Sequence, residues 1–76
     1  MLPSDLLAFE HAHPRHNGDK EETIRATFGI TPARYYVLLG RAARSIDGIR
    51  ADPITARRVR TMGERARSRR VRIDAA

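Results

Sequence analysis

Apolar residues recur along this chain at the three- and four-residue spacing of helices, and the pattern predicts four of them. In the first helix the apolar face consists of Leu6, Leu7 and Phe9. Ser4 can serve as its N-cap, and Pro14 limits it to roughly three turns. A polar loop then separates this helix from the next.

The second predicted helix leads into a glycine turn. Asp19 and Glu22, three residues apart, form the acidic equivalent of a capping box, so the helix is expected to begin there and to run to Phe28. Gly29 follows, and glycine adopts the positive φ of a helix end without steric cost. The pattern therefore predicts a sharp turn at this residue.

The third predicted helix begins after Thr31, whose hydroxyl can cap an orphan amide, with Pro32 at its first position. Gly40 weakens this helix by about 1 kcal/mol. Its buried stripe has the period of an amphipathic helix and is expected to continue past the turn motif. The stripe consists of Tyr35, Leu38, Leu39, Ala42 and Ile46.

The segment SIDGIRADP, residues 45–53, is predicted to be a connector. Asp52 and Pro53 are the expected cap and first residue of a fourth helix. Beyond Ala66 the apolar positions are too sparse to form a buried face. The chain is therefore predicted to divide into a helical domain, residues 1–66, and an arginine-rich tail, residues 67–76. The tail is expected to be disordered until it meets a partner. The apolar stripe of the fourth helix consists of Ile54, Val59, Met62 and Ala66.

The spacing between residues 21 and 39 is that of a helix-turn-helix. Counted from Glu21, Gly29 occupies the ninth place, and apolar residues occupy the places where two crossed helices must touch. The fifth place, usually alanine, is Arg25, which predicts a different angle between the two helices. A purely structural helical hairpin is the alternative. The apolar residues are Ile24, Phe28, Ile30, Tyr35 and Leu38.

Composition restricts the fold and function classes. A chain of 76 residues makes one small domain, which buries only about 60% of its unfolded surface. The predicted elements make it an all-α domain of three or four helices. No large catalytic cleft fits into it, so it is not expected to be an enzyme. Cysteine is absent, which excludes disulfides and thiolate metal sites. The N-terminus has neither the pattern of a signal peptide nor that of a membrane span, and the expected location is the cytoplasm.

The positive charge is concentrated at one end. Seven basic and seven acidic side chains cancel in residues 1–52, so the net charge of +6 arises in residues 53–76. Arginine at this density is expected to bind polyanions, although a solvated tail is the alternative. Too many of these arginines surround the helix for a single reading face, which favours a phosphate clamp. For Tyr36, a half-buried aromatic packed on the neighbouring helix is an equally favoured alternative. The predicted phosphate contacts are Thr31, Tyr36, Arg57, Arg58, Arg60, Arg65, Arg67, Arg69 and Arg70.

The third helix carries a second candidate surface, on the side away from Tyr35. Arginine donates two hydrogen bonds to guanine, and alanine or valine can touch a thymine methyl. Each arginine taken alone is equally well explained as part of a solvated face. Together with the turn motif they predict base contacts in a DNA major groove. The predicted base-contacting residues are Ala33, Arg34, Val37, Arg41 and Arg44.

The three histidines are the only candidates for a metal or acid-base site. His11 and His13 diverge on a helix, and Pro14 separates them from His16. Because no zinc-binding pattern is present, surface or capping histidines are the favoured interpretation. No cofactor, metal or catalytic residue is predicted, and the role of the three side chains stays open.

Three segments of the chain resemble a family of small actinobacterial helix-turn-helix proteins classed as a domain of unknown function. The resemblance rests on residues 6–10 (LLAFE), 20–39 (KEETIRATFGITPARYYVLL) and 51–53 (ADP) with the arginines that follow. It implies an all-helical fold, a bacterial or bacteriophage source and a regulatory role in DNA binding. Members are aromatic just after the first segment, whereas this chain has His11-Ala12-His13 there.

The sequence therefore predicts a transcription regulator that binds double-stranded DNA, with the third helix in the major groove. The main alternative is a protein-interaction module that binds RNA polymerase or another transcription protein and uses its basic tail as an accessory. An RNA-binding or ribosome-associated protein is disfavoured because the pattern offers no aromatic stacking platform. A homodimer is left open, since Ile54, Val59 and Met62 fit either a core or a dimer seam.

Overall fold

The structure is a computed structural model that describes the backbone of residues 1–75 and the side chains of residues 1–69. In this part the chain is all-α, as predicted, with five helices and no strand. Helix α5 continues past residue 66, and the predicted division of the chain at that residue stays a prediction. The helices are α1 (Pro3–Ala12), α2 (Gly18–Phe28), α3 (Pro32–Arg44), α4 (Ile46–Ala51) and α5 (Pro53–Ala75).

Helix α1 begins earlier than predicted. Its N-cap is Leu2 and its first residue is Pro3, so the predicted cap at Ser4 is wrong. The reason is that proline suits the first position of a helix, and Asp5 at the third accepts a hydrogen bond from the Leu2 N–H at 3.4 Å. The helix ends before Pro14, as expected.

Helix α2 also has a different cap from the one predicted. Asn17, in an extended conformation, accepts a hydrogen bond from the Lys20 N–H at 2.9 Å, and Asp19 lies inside the first turn. Two suitable capping residues therefore lie within three positions, and the first of them caps the helix. The other end is as predicted, because Gly29 has a φ of 68° and donates its N–H to the Arg25 carbonyl.

Helix α3 begins as predicted and ends two residues early. Thr31 accepts a hydrogen bond from the Arg34 N–H at 3.1 Å, and Pro32 is the first residue. The chain turns at Ser45, whose hydroxyl donates to the Ala42 carbonyl and accepts from the Gly48 N–H. This one side chain ends α3 and caps α4.

The predicted connector therefore contains a helix, α4. Ile46, expected in the buried stripe of α3, is instead the first residue of α4 and is 69% exposed. Gly48 is buried against the end of α3, where a Cβ atom would overlap the Ala42 carbonyl oxygen. A glycine is needed here because two backbones come into contact.

Helix α5 starts at the predicted cap but turns a different face to the core. Asp52 accepts a hydrogen bond from the Thr55 N–H at 3.0 Å. Thr55 and Ala56 are buried beside Val59, whereas Ile54 is 80% exposed, so its predicted place in the apolar stripe is wrong. Small side chains at the helix start allow close approach to the other helices. Met62 is half-buried, and Ala66 is exposed.

The core lies between α1, α3 and α5, and α3 is its centre. Helix α3 contacts each of the other four helices, while α2 packs mainly against α3. Phe9 lies with its ring centroid 5.5 Å from Tyr35 and 5.2 Å from Phe28, both in edge contacts. The buried apolar residues are Leu6, Leu7, Phe9, Ile24, Tyr35, Leu39, Ala42, Ala43, Ala56 and Val59.

None of the helices in the described part is long and apolar enough to cross a membrane.

Candidate nucleic-acid interface

Helix α3 has a buried face and an opposite face that is largely exposed. The buried face is made by Tyr35, Leu39, Ala42 and Ala43. All the residues predicted to contact bases are exposed, which follows from their positions on the helical wheel. They are Ala33, Arg34, Val37, Arg41 and Arg44.

The chemistry of this face suits the edges of base pairs. Val37 is 49% exposed and lies one turn from both Ala33 and Arg41. Small and apolar side chains at the centre allow close approach of the helix to the bases, and the arginines beside them carry planar guanidinium groups with several N–H donors. The surface can therefore offer both methyl contacts and bidentate hydrogen bonds.

A buried polar network fixes the orientation of α3. One carboxylate oxygen of Glu10, Oε1, accepts hydrogen bonds from Lys20 Nζ at 2.8 Å and from the Tyr35 hydroxyl at 2.9 Å. Glu10 is fully buried and Lys20 is 2% exposed. Because the three residues belong to α1, α2 and α3, a single oxygen atom joins all three helices.

The network keeps Tyr35 in its hydroxyl form. Burial raises the pKa of Tyr35 far above its ordinary value of 10.0, and the negative charge of Glu10 raises it further. The hydroxyl therefore stays a donor throughout the pH range in which proteins fold. It can hold α3 in place without change of charge.

Sequence reasoning did not identify this network. Glu10 was treated only as one of seven acidic residues, yet it follows Leu6 by four positions and Leu7 by three, which places it on the buried face of α1. That spacing was a signal for a buried charge in need of a partner. The identity of the partner, Lys20, depends on packing between helices.

The polar network continues to the surface through a histidine. His16 Nδ1 lies 3.3 Å from Lys20 Nζ and 2.9 Å from the hydroxyl of Tyr36. Tyr36, a predicted phosphate contact, is 37% exposed, and its ring makes an edge contact with Tyr35. Burial raises the pKa of Tyr36, and the charge of Glu10 adds to this effect.

Another histidine has a packing role. The ring of His13 stacks on Phe9 with centroids 4.3 Å apart, and its Nδ1 lies 3.2 Å from the Phe9 carbonyl oxygen. In the part of the chain that the structure describes, no three side chains of His, Asp, Glu or Cys lie close enough together to hold a metal ion.

The arginines of α5 fall into two groups. Arg58 donates to the Glu10 carbonyl at 3.3 Å and Arg60 donates to the Ala43 carbonyl at 2.7 Å, so these two tie α5 to α1 and α3. The side chain of Arg70 lies outside the described residues. The exposed arginines of this helix are Arg57, Arg65, Arg67 and Arg69.

The arginines of α3 and α5 whose side chains are described lack acidic partners. Among side chains 1–69, the pair between Lys20 and Glu10 is the only ion pair. The exposed guanidinium groups are therefore not neutralised by any described carboxylate within 4 Å. They create a positive surface able to attract a polyanion.

Three isoleucines form exposed apolar positions elsewhere. Ile46 and Ile49 lie on α4, and Ile54 lies at the start of α5. Of the residues predicted to fit either a core or a dimer seam, Val59 and Met62 pack with the core, whereas Ile54 faces solvent.

The comparisons with known proteins identify a family. The chain belongs to the family described as "Protein of unknown function (DUF3263)", whose model matches residues 3–72. This agrees with the predicted membership of a domain family of unknown function. No curated protein and no solved structure matched the chain.

Proposed function

We propose that this protein is a transcription regulator, without enzymatic activity, that binds double-stranded DNA sequence-specifically. In this proposal α2 and α3 act as a helix-turn-helix, α3 reads the major groove, and the arginines of α5 bind phosphates. The protein would act in the cytoplasm of a bacterium or in a bacteriophage-infected cell. The observation that carries the proposal is the exposed face of α3, where Arg34 and Arg41 flank Val37 with no acidic partner among side chains 1–69.

The dimensions of α3 support this proposal. Its 13 residues span about 20 Å, and the major groove, about 12 Å wide, admits a helix of this kind. At the start of α3, Thr31 and Ala33 carry backbone N–H groups that suit a phosphate, whereas Pro32 has none and Arg34 donates its own to the Thr31 hydroxyl. Arg34 and Arg41 are separated by two turns, so they can reach neighbouring base pairs of one site.

Selection of bound sequences from a random duplex library tests the base-reading role. The native chain is expected to enrich one motif at moderate salt. Arg34→Ala and Arg41→Ala should each relax the preference at one or two positions, since a bidentate contact discriminates bases by about 1–3 kcal/mol. Arg50→Ala on α4 removes an exposed arginine outside this face and is the matched control. An unchanged motif in both α3 variants would refute the assignment.

Salt dependence tests the phosphate contacts separately. Removal of one phosphate-binding charge should lower the slope of log K against log salt by roughly 0.9. Arg57→Gln and Arg65→Gln remove exposed charges of α5 and should reduce the slope without altering the motif. If affinity and slope remain native in both variants, α5 does not contact the DNA backbone at these residues.

A second candidate function is a protein-interaction module that binds RNA polymerase or another transcription protein. The exposed isoleucines of α4 and α5 favour it, because apolar side chains at this exposure can anchor a partner. Binding to purified RNA polymerase at high salt, abolished in Ile46→Asp and Ile54→Asp, would support this function. The same positions allow a homodimer that reads two half-sites, which a palindromic selected motif would indicate.

A further inference from the structure

Two arginines lie where α3 and α5 pack together. Arg44 of α3 donates through Nη1 to the Gly40 carbonyl oxygen at 3.0 Å. Its other terminal nitrogen, Nη2, lies 3.8 Å from the position that a Cβ atom of Gly63 would occupy on α5. The guanidinium group of Arg44 therefore lies over the junction of the two helices, with a glycine beside it on each.

Arg60 of α5 reaches the same end of α3. It is half-buried on α5 and donates through Nη1 to the Ala43 carbonyl at 2.7 Å, next to Arg44 in the chain. Each of the two guanidinium groups is thus held by one backbone carbonyl. A guanidinium has five N–H donors, so each retains donors for a further acceptor.

No carboxylate in the described part of the chain balances the charges at this junction. Neither guanidinium lies within 4 Å of a carboxylate among side chains 1–69. Glu64, four residues after Arg60, is exposed and forms no ion pair with it. Like charges repel each other, and an anion bound by both guanidinium groups would convert this repulsion into attraction.

We propose that Arg44 and Arg60 form a phosphate-binding site at the α3–α5 junction. The ligand is a phosphate group, either a phosphodiester of the DNA backbone or free phosphate. The DNA source rests on the function proposed above, and in that case Arg44 contacts the backbone instead of a base. The Arg44 guanidinium lies at the level of Gly40, about 14 Å along α3 from Thr31, so two phosphate contacts would bracket the reading face.

A titration with inorganic phosphate tests the site itself, independently of DNA. The amide signals of Gly40, Ala43 and Gly63 in the full-length, ¹⁵N-labelled protein are followed by NMR. A saturable shift is expected in the native chain, with binding weakened about tenfold or more in Arg44→Gln and Arg60→Gln. Equal binding in the native chain and both variants, or no saturation at all, would overturn the proposal.

A second pair of variants tests the site without replacing Arg60, because Arg60→Gln removes a hydrogen bond between α5 and α3 and could unfold the protein. Gly63→Ala adds a Cβ atom at an ordinary contact distance from Arg44 and should leave phosphate binding intact. Gly63→Asp adds a carboxylate at the same place, which would act as an internal competitor and abolish binding. Equal phosphate affinity in these two variants would also overturn the proposal. Arg50→Gln is the control for loss of net charge alone.

The source of the phosphate is decided with a duplex carrying the selected motif. Weaker duplex binding by Arg44→Gln and Gly63→Asp, with the motif unchanged, supports the DNA backbone as ligand. Native duplex binding by the same variants, with phosphate binding abolished, supports free phosphate as ligand. If no motif is selected from the duplex library but the protein still binds phosphate, the proposed DNA-binding function fails while the phosphate site stands.

Discussion

Replacement of Lys20 by methionine is expected to remove a large part of the stability of this fold. Lys20 Nζ lies 2.8 Å from Glu10 Oε1, and both side chains are almost fully buried. The other carboxylate oxygen of Glu10, Oε2, has no hydrogen-bond partner in the structure. Lys20→Met would therefore leave a buried negative charge with only the Tyr35 hydroxyl to compensate it.

The magnitude follows from the burial of the pair. Removal of one partner of a buried ion pair costs about 3–5 kcal/mol, because the remaining charge stays desolvated. A domain of this length has a total free energy of unfolding of about 4–11 kcal/mol. Lys20→Met is thus expected to bring the protein close to its unfolding threshold at room temperature.

Urea unfolding followed by circular dichroism measures this loss. The control is the triple variant Glu10→Met, Lys20→Met, Tyr35→Phe, which replaces every polar head of the network and should recover most of the stability, since apolar residues of similar volume can substitute for a buried pair. A free energy of unfolding within about 1 kcal/mol of native in Lys20→Met would refute the reasoning. It would mean that water or a conformational change solvates Glu10.

Two further predictions concern helix junctions and caps. Gly48→Ala should lower stability by about 1–3 kcal/mol, measured as a fall in Tm, because its Cβ atom overlaps the Ala42 carbonyl. Gly18→Ala, which meets open space, is the control, and an equal Tm in both would contradict the packing argument. The side chain and the backbone N–H of Thr55 both favour the charged form of Asp52 and lower its pKa below 3.8. Of these two groups, only the N–H forms a hydrogen bond of regular geometry with the carboxylate. This contribution to stability is present above pH 3.8 and disappears as the pH falls through the lower pKa of the folded state. Asp52→Asn should therefore reduce the fall of Tm at acid pH. An equal fall of Tm in the native chain and the variant would refute the prediction.

The polar network and the candidate reading face are connected through adjacent residues. Tyr35 holds α3 to Glu10, and Tyr36 contacts His16 at the surface. The network therefore joins the helix that carries Arg34 and Arg41 to α1 and α2.

Local features of the structure were predictable because their determinants lie within a few residues. The caps at Thr31 and Asp52 depend on hydrogen bonds to an amide three positions along the chain, and the turn at Gly29 depends on its own φ. The competing caps before α1 and α2 show the limit of this reasoning. Ser4 and Asp19 were suitable residues, but another suitable start preceded each of them in the chain.

Helix α4 escaped prediction because a segment of six residues is too short to show a period. Its position depends on the contact of Gly48 with the end of α3, which is a tertiary feature. The exposure of Ile54 has a similar cause. Helix α5 approaches its neighbours through Thr55 and Ala56, since small side chains permit the closer contact.

The sequence alone determined the all-α class, the exposed face of α3 and the concentration of arginine in α5, since these follow from helical period and composition. Tertiary structure alone decided which partners the buried charges meet and which arginines of α5 bind the carbonyl groups of other helices. Glu10 meets Lys20 and Tyr35 across three helices, and Arg60 meets Ala43 across two. Such contacts join residues 10 to 25 positions apart, and their partners are selected by the packing of the helices as whole bodies.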